Sequence, residues 1–325
     1  MTIPLVRARY LSAYADAYGR LGGDVKKLLR EARLVPELLS SPESYLPLRP
    51  VLQFVELAAR EVGPTLGSVA APRRPSELGN LGHYVLGAPT LRDALERFVR
   101  ASRAEATGTE LLVRIQSGAI WLCRTTITVS SDLLLAQIER YVVEAMLTLV
   151  RHWLGETWRP DELWLQSEPW PDEGRYGEIP RLRFRAPVLA FPISLQEVSA
   201  TPTEPPEPGD GFDLTPLDGL GFVATLTRVV ETQLPLGQIS LPEVAELIGT
   251  SARTLQRRLD GHGTTFSEVL DEVRQRVALE RLRYTDATIT EIAHDLGYSD
   301  SAHFARAFRR WAGISPLELR RQHRG

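Results

Sequence analysis

The chain has 325 residues, 43% hydrophobic and 24% charged, with a formal net charge of −3. This is room for two domains of ordinary globular composition, and it excludes a surface that is basic throughout. The single cysteine, Cys123, excludes an internal disulfide or a multi-cysteine zinc site. No run reaches the roughly 18 apolar residues of a membrane span. After Arg7 and Arg9 comes "YLSAYADAYGR", which is not the apolar core of a signal peptide. A cytoplasmic protein without membrane contact is expected.

In chain order, helical periodicity predicts helices over 5–20, 24–33, 49–62, 90–104 and 132–153. Alternation predicts strands at "ELLVRIQ" (110–116), "IWLCRTTITV" (120–129), "ELWLQS" (162–167) and "VLAFPIS" (188–194). The N-terminal part is therefore α+β. Arg73 and Arg74 in "APRRPSE" either hold an anion or lie in a solvated loop, and His83 in "LGHYVLG" either lines a pocket or is structural. Helix 132–153 is interrupted by Asp132, Gln137, Glu139, Arg140 and Glu144. Its broad apolar face (Leu134, Ile138, Tyr141, Val142, Ala145, Leu149, Trp153) suits the domain core or a dimer interface. Trp158, Trp164, Trp170 and Tyr176 suit strand packing or ligand contact.

"SATPTEPPEPGDGFDLTPLDGLG" (199–221) is too rich in Pro, Gly and Asp to continue a helix or central strand, and it reads as a linker. The predicted domains are 1–198, an α+β sensing and dimerising domain, and 222–325, all α-helical. From Phe222 onward there are 14 Arg, no Lys and 13 Asp plus Glu, a balance of +1 that leaves −4 for the rest.

The last hundred residues repeat themselves. "LPEVAELIGTS" (241–251) lies over "ITEIAHDLGYS" (289–299) at an offset of 48, Leu255 matches Phe304 at 49, and Gly263 matches Gly313 at 50. Each copy reads as a helix-turn-helix. In the first, Val244, Ala245 and Ile248 precede Gly249, Ser251 is the expected N-cap, and Leu255 and Leu259 turn inward. In the second, Ile292, Ala293 and Leu296 precede Gly297, Ser299 is the expected N-cap, and Phe304, Phe308 and Trp311 turn inward. A glycine after each first helix permits the positive φ of a sharp helix end. Between the copies, "FSEVLDEVRQRVALERLRY" (266–284) lacks Gly and Pro. It predicts a connecting helix of roughly 28 Å, against about 34 Å for one turn of DNA.

His294, Asp295, Asp300 and His303 crowd this second copy, yet their spacing makes no nucleophile–base–orienter set. The "HD" pair at 294–295 lacks the further ligands a metal phosphohydrolase needs. G-x-S-x-G, H-E-x-x-H and G-x-x-x-x-G-K-[ST] are absent from the sequence. No enzyme, metal or cofactor is implied.

"LPEVAELIGTSARTLQRRLDGHGTTFSEVLDEVR" and "ITEIAHDLGYSDSAHFARAFRRWAGISPLELR" resemble the two helix-turn-helix units of the AraC/XylS transcription regulators. "LGNLGHYVLGAPTLRDALERFVRAS" (78–102) and "FRAPVLAF" (184–191) resemble the arabinose-binding-type sensor domain of a subgroup that includes ornithine-utilisation regulators. The resemblance implies a sequence-specific DNA-binding transcription regulator that responds to a small-molecule effector. Its DNA-binding domain would enter two adjacent major grooves of double-stranded DNA. A homodimer and contact with RNA polymerase belong to the same expectation. Base contacts carried over from the family fall on Arg253, Gln256 and Arg257 in the first unit, and on Ser301, Ala302 and Arg306 in the second. Arg and Gln can pair bidentately with guanine and adenine, whereas Ser301 and Ala302 are short readers, although Ala302 can touch a thymine methyl. Ser251, Arg258, Ser299, His303, Arg309 and Arg310 are expected at the DNA backbone. Two alternatives stay open: a ligand-independent dimeric activator, and a ligand-binding protein whose helical domain serves protein interaction.

Overall fold

The computed structural model describes residues 3–125, 129–169, 176, 178–202, 212–237 and 239–324. They divide into two compact units. One comprises Pro4–Ser44 and Pro50–Gly219, and the other Leu220–Gly325 with Met1–Ile3 and Tyr45–Arg49.

The N-terminal unit is α+β. It opens with strand β1 (Leu5–Arg7) and helix α1 (Ala8–Arg20), so the predicted helix over 5–20 gives up its first three residues to extended chain. Leu5, Val6 and Arg7 are all buried, a burial of successive side chains that a one-sided helix would not produce. Then follow α2 (Val25–Glu31), capped by Asp24, β2 (Tyr45–Pro47, which clusters with the other unit), and α3 (Leu48–Val62). Next come α4 (Leu66–Ala70) and α5 (Asn80–Leu86), short helices with no predicted counterpart, and α6 (Leu91–Ser102), capped by Thr90. Strands β3 (Leu111–Gln116) and β4 (Ala119–Arg124) form a hairpin ahead of α7 (Asp132–Leu154). The strand predicted to 129 ends at Arg124, and residues 126–128 lie outside the described ones. Strands β5 (Glu162–Trp164), β6 (Arg181–Arg183, not predicted) and β7 (Leu189–Ser194) complete the set.

Among the described residues, five strands share one sheet in the order β3-β4-β7-β5-β6, antiparallel except for the parallel pair β5–β6. Alternation gives the sheet two faces. Ile120, Leu122, Leu163, Phe191 and Ile193 are buried, while Trp121, Trp164 and Pro192 on the opposite face are only half-buried.

Helix α7 is core. Leu134, Tyr141, Ala145, Leu149 and Trp153 are buried within the chain and Ile138 and Val142 half-buried; of the polar residues that break its apolar run, Asp132 is exposed and Gln137, Glu139, Arg140 and Glu144 are buried. Each of the four buried ones makes at least one hydrogen bond, although Gln137 Nε2 and Arg140 Nε have no hydrogen-bond partner among the described residues. Gln137 Oε1 accepts the Gly67 N–H at 2.8 Å, and Glu139 accepts the N–H groups of Gln166 and Ser167 at 2.6 and 3.0 Å. Arg140 donates to the Pro64 carbonyl, and Glu144 accepts the Tyr176 hydroxyl at 2.6 Å. Arg124 is also buried, and loss of solvation pulls its pKa down to about 10. His83, Arg73 and Arg74 are exposed.

Of the Pro/Gly-rich stretch 199–221, residues 203–211 lie outside the described ones. Further along it packs on the N-terminal unit instead of hanging free. Phe212 is buried with its ring 5.6 Å from Tyr84, and Leu217 is buried with its N–H bonded to the Arg103 carbonyl at 3.0 Å. These are apolar side chains amid Pro and Asp, and burial is what they gain.

The C-terminal unit is helical: α8 (Phe222–Gln233), α9 (Leu241–Leu247), α10 (Ala252–Gly261), α11 (Phe266–Tyr284), α12 (Ile289–Asp295), α13 (Ser301–Ala312) and α14 (Pro316–Arg324). The connecting helix has the predicted bounds. The last helix, α14, had no predicted counterpart; Ser315 and Glu318 cap it reciprocally at 2.7 and 3.3 Å, and Leu319 is buried.

Candidate nucleic-acid interface

The same motif is built twice, and its starts and stops explain why. α9 and α12 each open on a reciprocal cap. The Ser240 hydroxyl accepts the Glu243 N–H at 3.4 Å while the Glu243 carboxylate accepts the Ser240 N–H at 2.9 Å. Thr288 and Glu291 do the same at 3.1 and 2.6 Å. Both helices then end at a glycine, Gly249 at φ 74° and Gly297 at φ 75°. The next residue folds its N–H back: Thr250 onto the Ala245 carbonyl at 2.8 Å, and Tyr298 onto that of Ala293 at 2.9 Å. Gly297 is constrained further, because a Cβ there would stand 2.6 Å from the Gly237 carbonyl oxygen.

The turns then diverge. Ser251 caps α10, accepting the Thr254 N–H at 3.2 Å. The cap of α13 is Asp300, which accepts the His303 N–H at 2.7 Å, so the expectation for Ser299 is corrected. The second turn carries one more residue, and this is why the repeat offset moves from 48 to 49. Ser299 is one position too early to cap the free N–H groups of the helix. Its hydroxyl lies 3.2 Å from the Asp300 carboxylate and 2.9 Å from His303 Nδ1. The His303 N–H, chiefly, holds the Asp300 carboxyl below the usual aspartate pKa.

On α10, Leu255 and Leu259 are buried, Arg253 and Arg257 exposed, and Gln256 and Arg258 half-buried. The Gln256 amide donates to Asp260 Oδ1 at 2.9 Å, and the Arg258 guanidinium lies 5.1 Å over the Phe222 ring. On α13, Phe304 and Phe308 are buried and Trp311 half-buried. Ala302, His303, Arg306, Arg309 and Arg310 are exposed, and Ser301 is half-buried. Arg310 pairs with Asp271 at 3.0 Å. Among the described residues Arg253, Arg257, Arg306 and Arg309 make no ion pair. α10 and α13 thus each present two guanidinium groups outside any ion pair among the described residues, the charge a polyanion would meet.

Helix α11 is tied to α8 on one side and to the second helix-turn-helix unit on the other. Arg276 grips Glu231 of α8 bidentately at 3.0 and 2.7 Å, and Phe222 at the start of α8 stacks on His262, just past α10, at 5.4 Å. Toward the second unit, Arg274 donates to the Leu296 carbonyl at 2.9 Å and lies 4.8 Å over the Tyr298 ring. Arg281 pairs with Asp295, and Asp271 with Arg310. The "HD" pair is resolved by this arrangement: Asp295 is a strut, and His294 is exposed. Sequence reasoning missed these struts because their partners are 14 to 45 residues apart. The capping boxes it could have found, since S-L-P-E, T-F-S-E and T-I-T-E all stand in the sequence.

A family model for the N-terminal arabinose-binding domain of AraC transcription regulators matches residues 22–191, more than half of the chain, and one for a helix-turn-helix domain matches 244–322. The chain belongs to the AraC family of transcription regulators. The second match takes in the first helix-turn-helix unit of this regulator from Val244 of α9 onward and the whole of the second. It is 28% identical to the ornithine utilization regulator of Pseudomonas aeruginosa over 98% of its own length and 97% of that protein's. The transcriptional activator RhaS of an Enterobacter species is 40% identical over 84 residues, 26% of this chain and 30% of that one. Among solved structures, the transcriptional regulator CdpR of P. aeruginosa is 23% identical with a TM-score of 0.39, covering 91% of this chain and 96% of that one. The regulator is thus a DNA-binding transcription factor of the effector-responsive type, with an arabinose-binding-type domain ahead of its helix-turn-helix units.

Proposed function

We propose that the regulator reads DNA with α10 and α13 in two adjacent major grooves, held in register by α11. Arg253, Gln256 and Arg257 read bases for the first unit, and Ser301, Ala302 and Arg306 for the second. Arg309, with no ion pair among the described residues, takes a phosphate. Ser251, Ser299 and His303 lie at the helix starts, where backbone contacts form. Arg258 and Arg310 join them at the phosphates, Arg310 by opening its pair with Asp271. Gln256 must exchange Asp260 for a base edge, so its contact forms only against the right base. The regulated process answers to a small metabolite bound by the N-terminal domain, a reading supported by that domain's match to the arabinose-binding domain model. Dimerisation and contact with RNA polymerase complete this reading.

The observation that carries the proposal is the pair of cation-bearing helices joined by a 19-residue helix with struts to both sides. Inserting about five base pairs between the two half-contacts turns the second to the far side of the duplex, half of the 10–10.5 base-pair turn. A strutted helix cannot follow, and the second half-contact should lose its footprint while the first keeps it. Full protection of both halves by one protomer on the inserted site would rule out the two-groove arrangement.

A further inference from the structure

The open face of the N-terminal sheet carries a groove of about 470 Å³, whose lining includes Trp121, Trp158, Trp164, Asp161, Glu162 and Glu197. The two tryptophans of the sequence cluster that it receives, Trp158 and Trp164, are joined by Trp121 of β4. Tyr176 of that cluster is buried elsewhere, against Glu144, and Trp170 lies outside the described residues. The Trp121 and Trp164 rings are 4.9 Å apart with planes inclined at 53°. The indole N–H of Trp158 donates to Glu197 at 2.7 Å, and that of Trp164 to Glu162 at 2.6 Å. These bonds fix both ring planes. The Arg183 guanidinium, 5.2 Å over the Trp164 ring, shows what such faces attract.

Among the lining residues three carboxylates, Asp161, Glu162 and Glu197, stand against two arginines, and Arg183 lies over Trp164 beside them. The two lining arginines are already paired, Arg159 with Glu178 and Arg181 with Glu162 at 3.3 Å. Glu197 and Asp161 make no ion pair among the described residues. Partial burial pushes the Glu197 pKa up, but the Ser194 N–H at 2.8 Å and the Trp158 indole outweigh it. The carboxyl sits below the usual glutamate range and is charged at neutral pH. Two N–H donors thus hold Glu197 ionised beside the Trp158 ring, where its charge adds to the pull of the aromatic faces on a cation. A sugar would stack on the rings and donate its hydroxyls to the carboxylates, whereas a cation adds charge attraction to both.

We propose that this groove binds an organic cation, its alkylammonium head seated against Trp121, Trp158 and Trp164 with Glu197 and Asp161 as counter-charges. The site rests on reading the N-terminal domain as the effector-sensing one, and it gives that reading a ligand class. Glu197 also opens the short turn Glu197–Ser199, beyond which the Ala200 carbonyl is bonded to the Leu91 N–H at 2.9 Å. A cation drawn to Glu197 acts where the chain leaves the sheet for the Pro/Gly-rich stretch.

The test uses the full chain and three probes: choline, its uncharged isostere 3,3-dimethyl-1-butanol, and L-arabinose, by calorimetry and indole fluorescence. Choline should bind about tenfold tighter than the alcohol, the margin of a cation over aromatic faces. Asp161→Asn, at an exposed side chain that should leave folding intact, and Glu197→Gln should each erode that preference several-fold without changing alcohol binding. Equal binding of choline and the alcohol, binding of arabinose alone, or no binding by any probe would overturn the site. Affinity for DNA selected from a random pool is measured alongside. If choline binds in the groove but leaves DNA affinity unchanged, the site stands and the sensing reading fails. If DNA affinity responds to arabinose while choline does not bind, the sensing reading stands and the site fails.

Discussion

The two helix-turn-helix units share a scaffold and differ in nearly everything mounted on it. Both have a reciprocal cap, a positive-φ glycine, a folded-back N–H and an inward pair four residues apart. These features are dictated by backbone hydrogen bonding and burial, which tolerate few solutions. The outward positions obey no such constraint. Where α10 carries Arg253, Gln256 and Arg257, the offset of 49 places Ala302, Ala305 and Arg306 on α13. The second unit has shorter side chains at two of these positions and is tied to α11 through Leu296, Asp295 and Arg310. The repeat keeps the scaffold, and the proposed division between reading and positioning rests on residues the fold leaves free.

The largest expected effect separates the two glycines. Both hold the same backbone conformation, which costs an L-residue about 1–2 kcal/mol. Around Gly249 the nearest atom to an added Cβ is 3.9 Å away, whereas Gly297 would meet the Gly237 carbonyl at 2.6 Å. Gly249→Ala should therefore lose only the conformational term. Gly297→Ala should lose about 1–3 kcal/mol more, the usual toll of overpacking. Thermal unfolding of both variants checks this, and equal Tm losses would mean that the close approach to Gly237 is not maintained in solution.

Readout comes next. Gln256→Ala or Arg257→Ala should cost about 1–3 kcal/mol on the preferred site and relax preference at one or two base pairs. Ser301→Ala should change affinity by no more than about 0.5 kcal/mol, as an ordinary surface substitution does. Arg309→Ala should weaken all DNA sequences alike and lower the salt slope by about one. A base-substitution series on each variant distinguishes these outcomes. If Gln256→Ala gave the uniform loss expected of Arg309→Ala, the assignment of roles would fall.

Much of this was legible from residue order because helices are local. The bounds of α11, the inward pairs and the duplication itself follow from spacing. The shift of the offset from 48 to 49 even marked the longer second turn, although Ser299 was aligned there in place of Asp300. What escaped was non-local. Strand β6 pairs over only three residues, in parallel with β5 some 19 residues before it, and neither Arg181 nor Arg183 advertises a sheet. Strand β1 is buried on every side, so it lacks the alternation that marks a half-buried strand. The groove could not be foreseen either, because Trp121, Trp158 and Trp164 meet only once β4 and β5 are placed either side of β7. Their pairing with Glu197 and Glu162 then decides which faces of the rings stay open.

The smallest effect concerns the caps, and it turns on acid. Ser251 and Ser299 align in the repeat, yet only Ser251 caps a helix, so Ser251→Ala should cost about 1 kcal/mol. Ser299→Ala should stay within about 0.5 kcal/mol. Asp300→Ala should lower Tm at neutral pH, since the carboxylate is the acceptor for the His303 N–H. The pH dependence has a definite sign. Because the folded state lowers the Asp300 pKa below its ordinary value of 3.8, its contribution is complete above that value. It disappears as the pH falls through the lower, folded-state value, where the protonated carboxyl is a poorer acceptor. The Ser251 hydroxyl does not titrate. The Tm difference between the parent and Asp300→Ala should therefore shrink as pH falls below 3.8, and that between the parent and Ser251→Ala should not. Unfolding curves from pH 6 down to the acid limit of the fold would show it. A loss at Asp300 that stayed constant with pH would mean that the His303 N–H is not held by the ionised carboxylate.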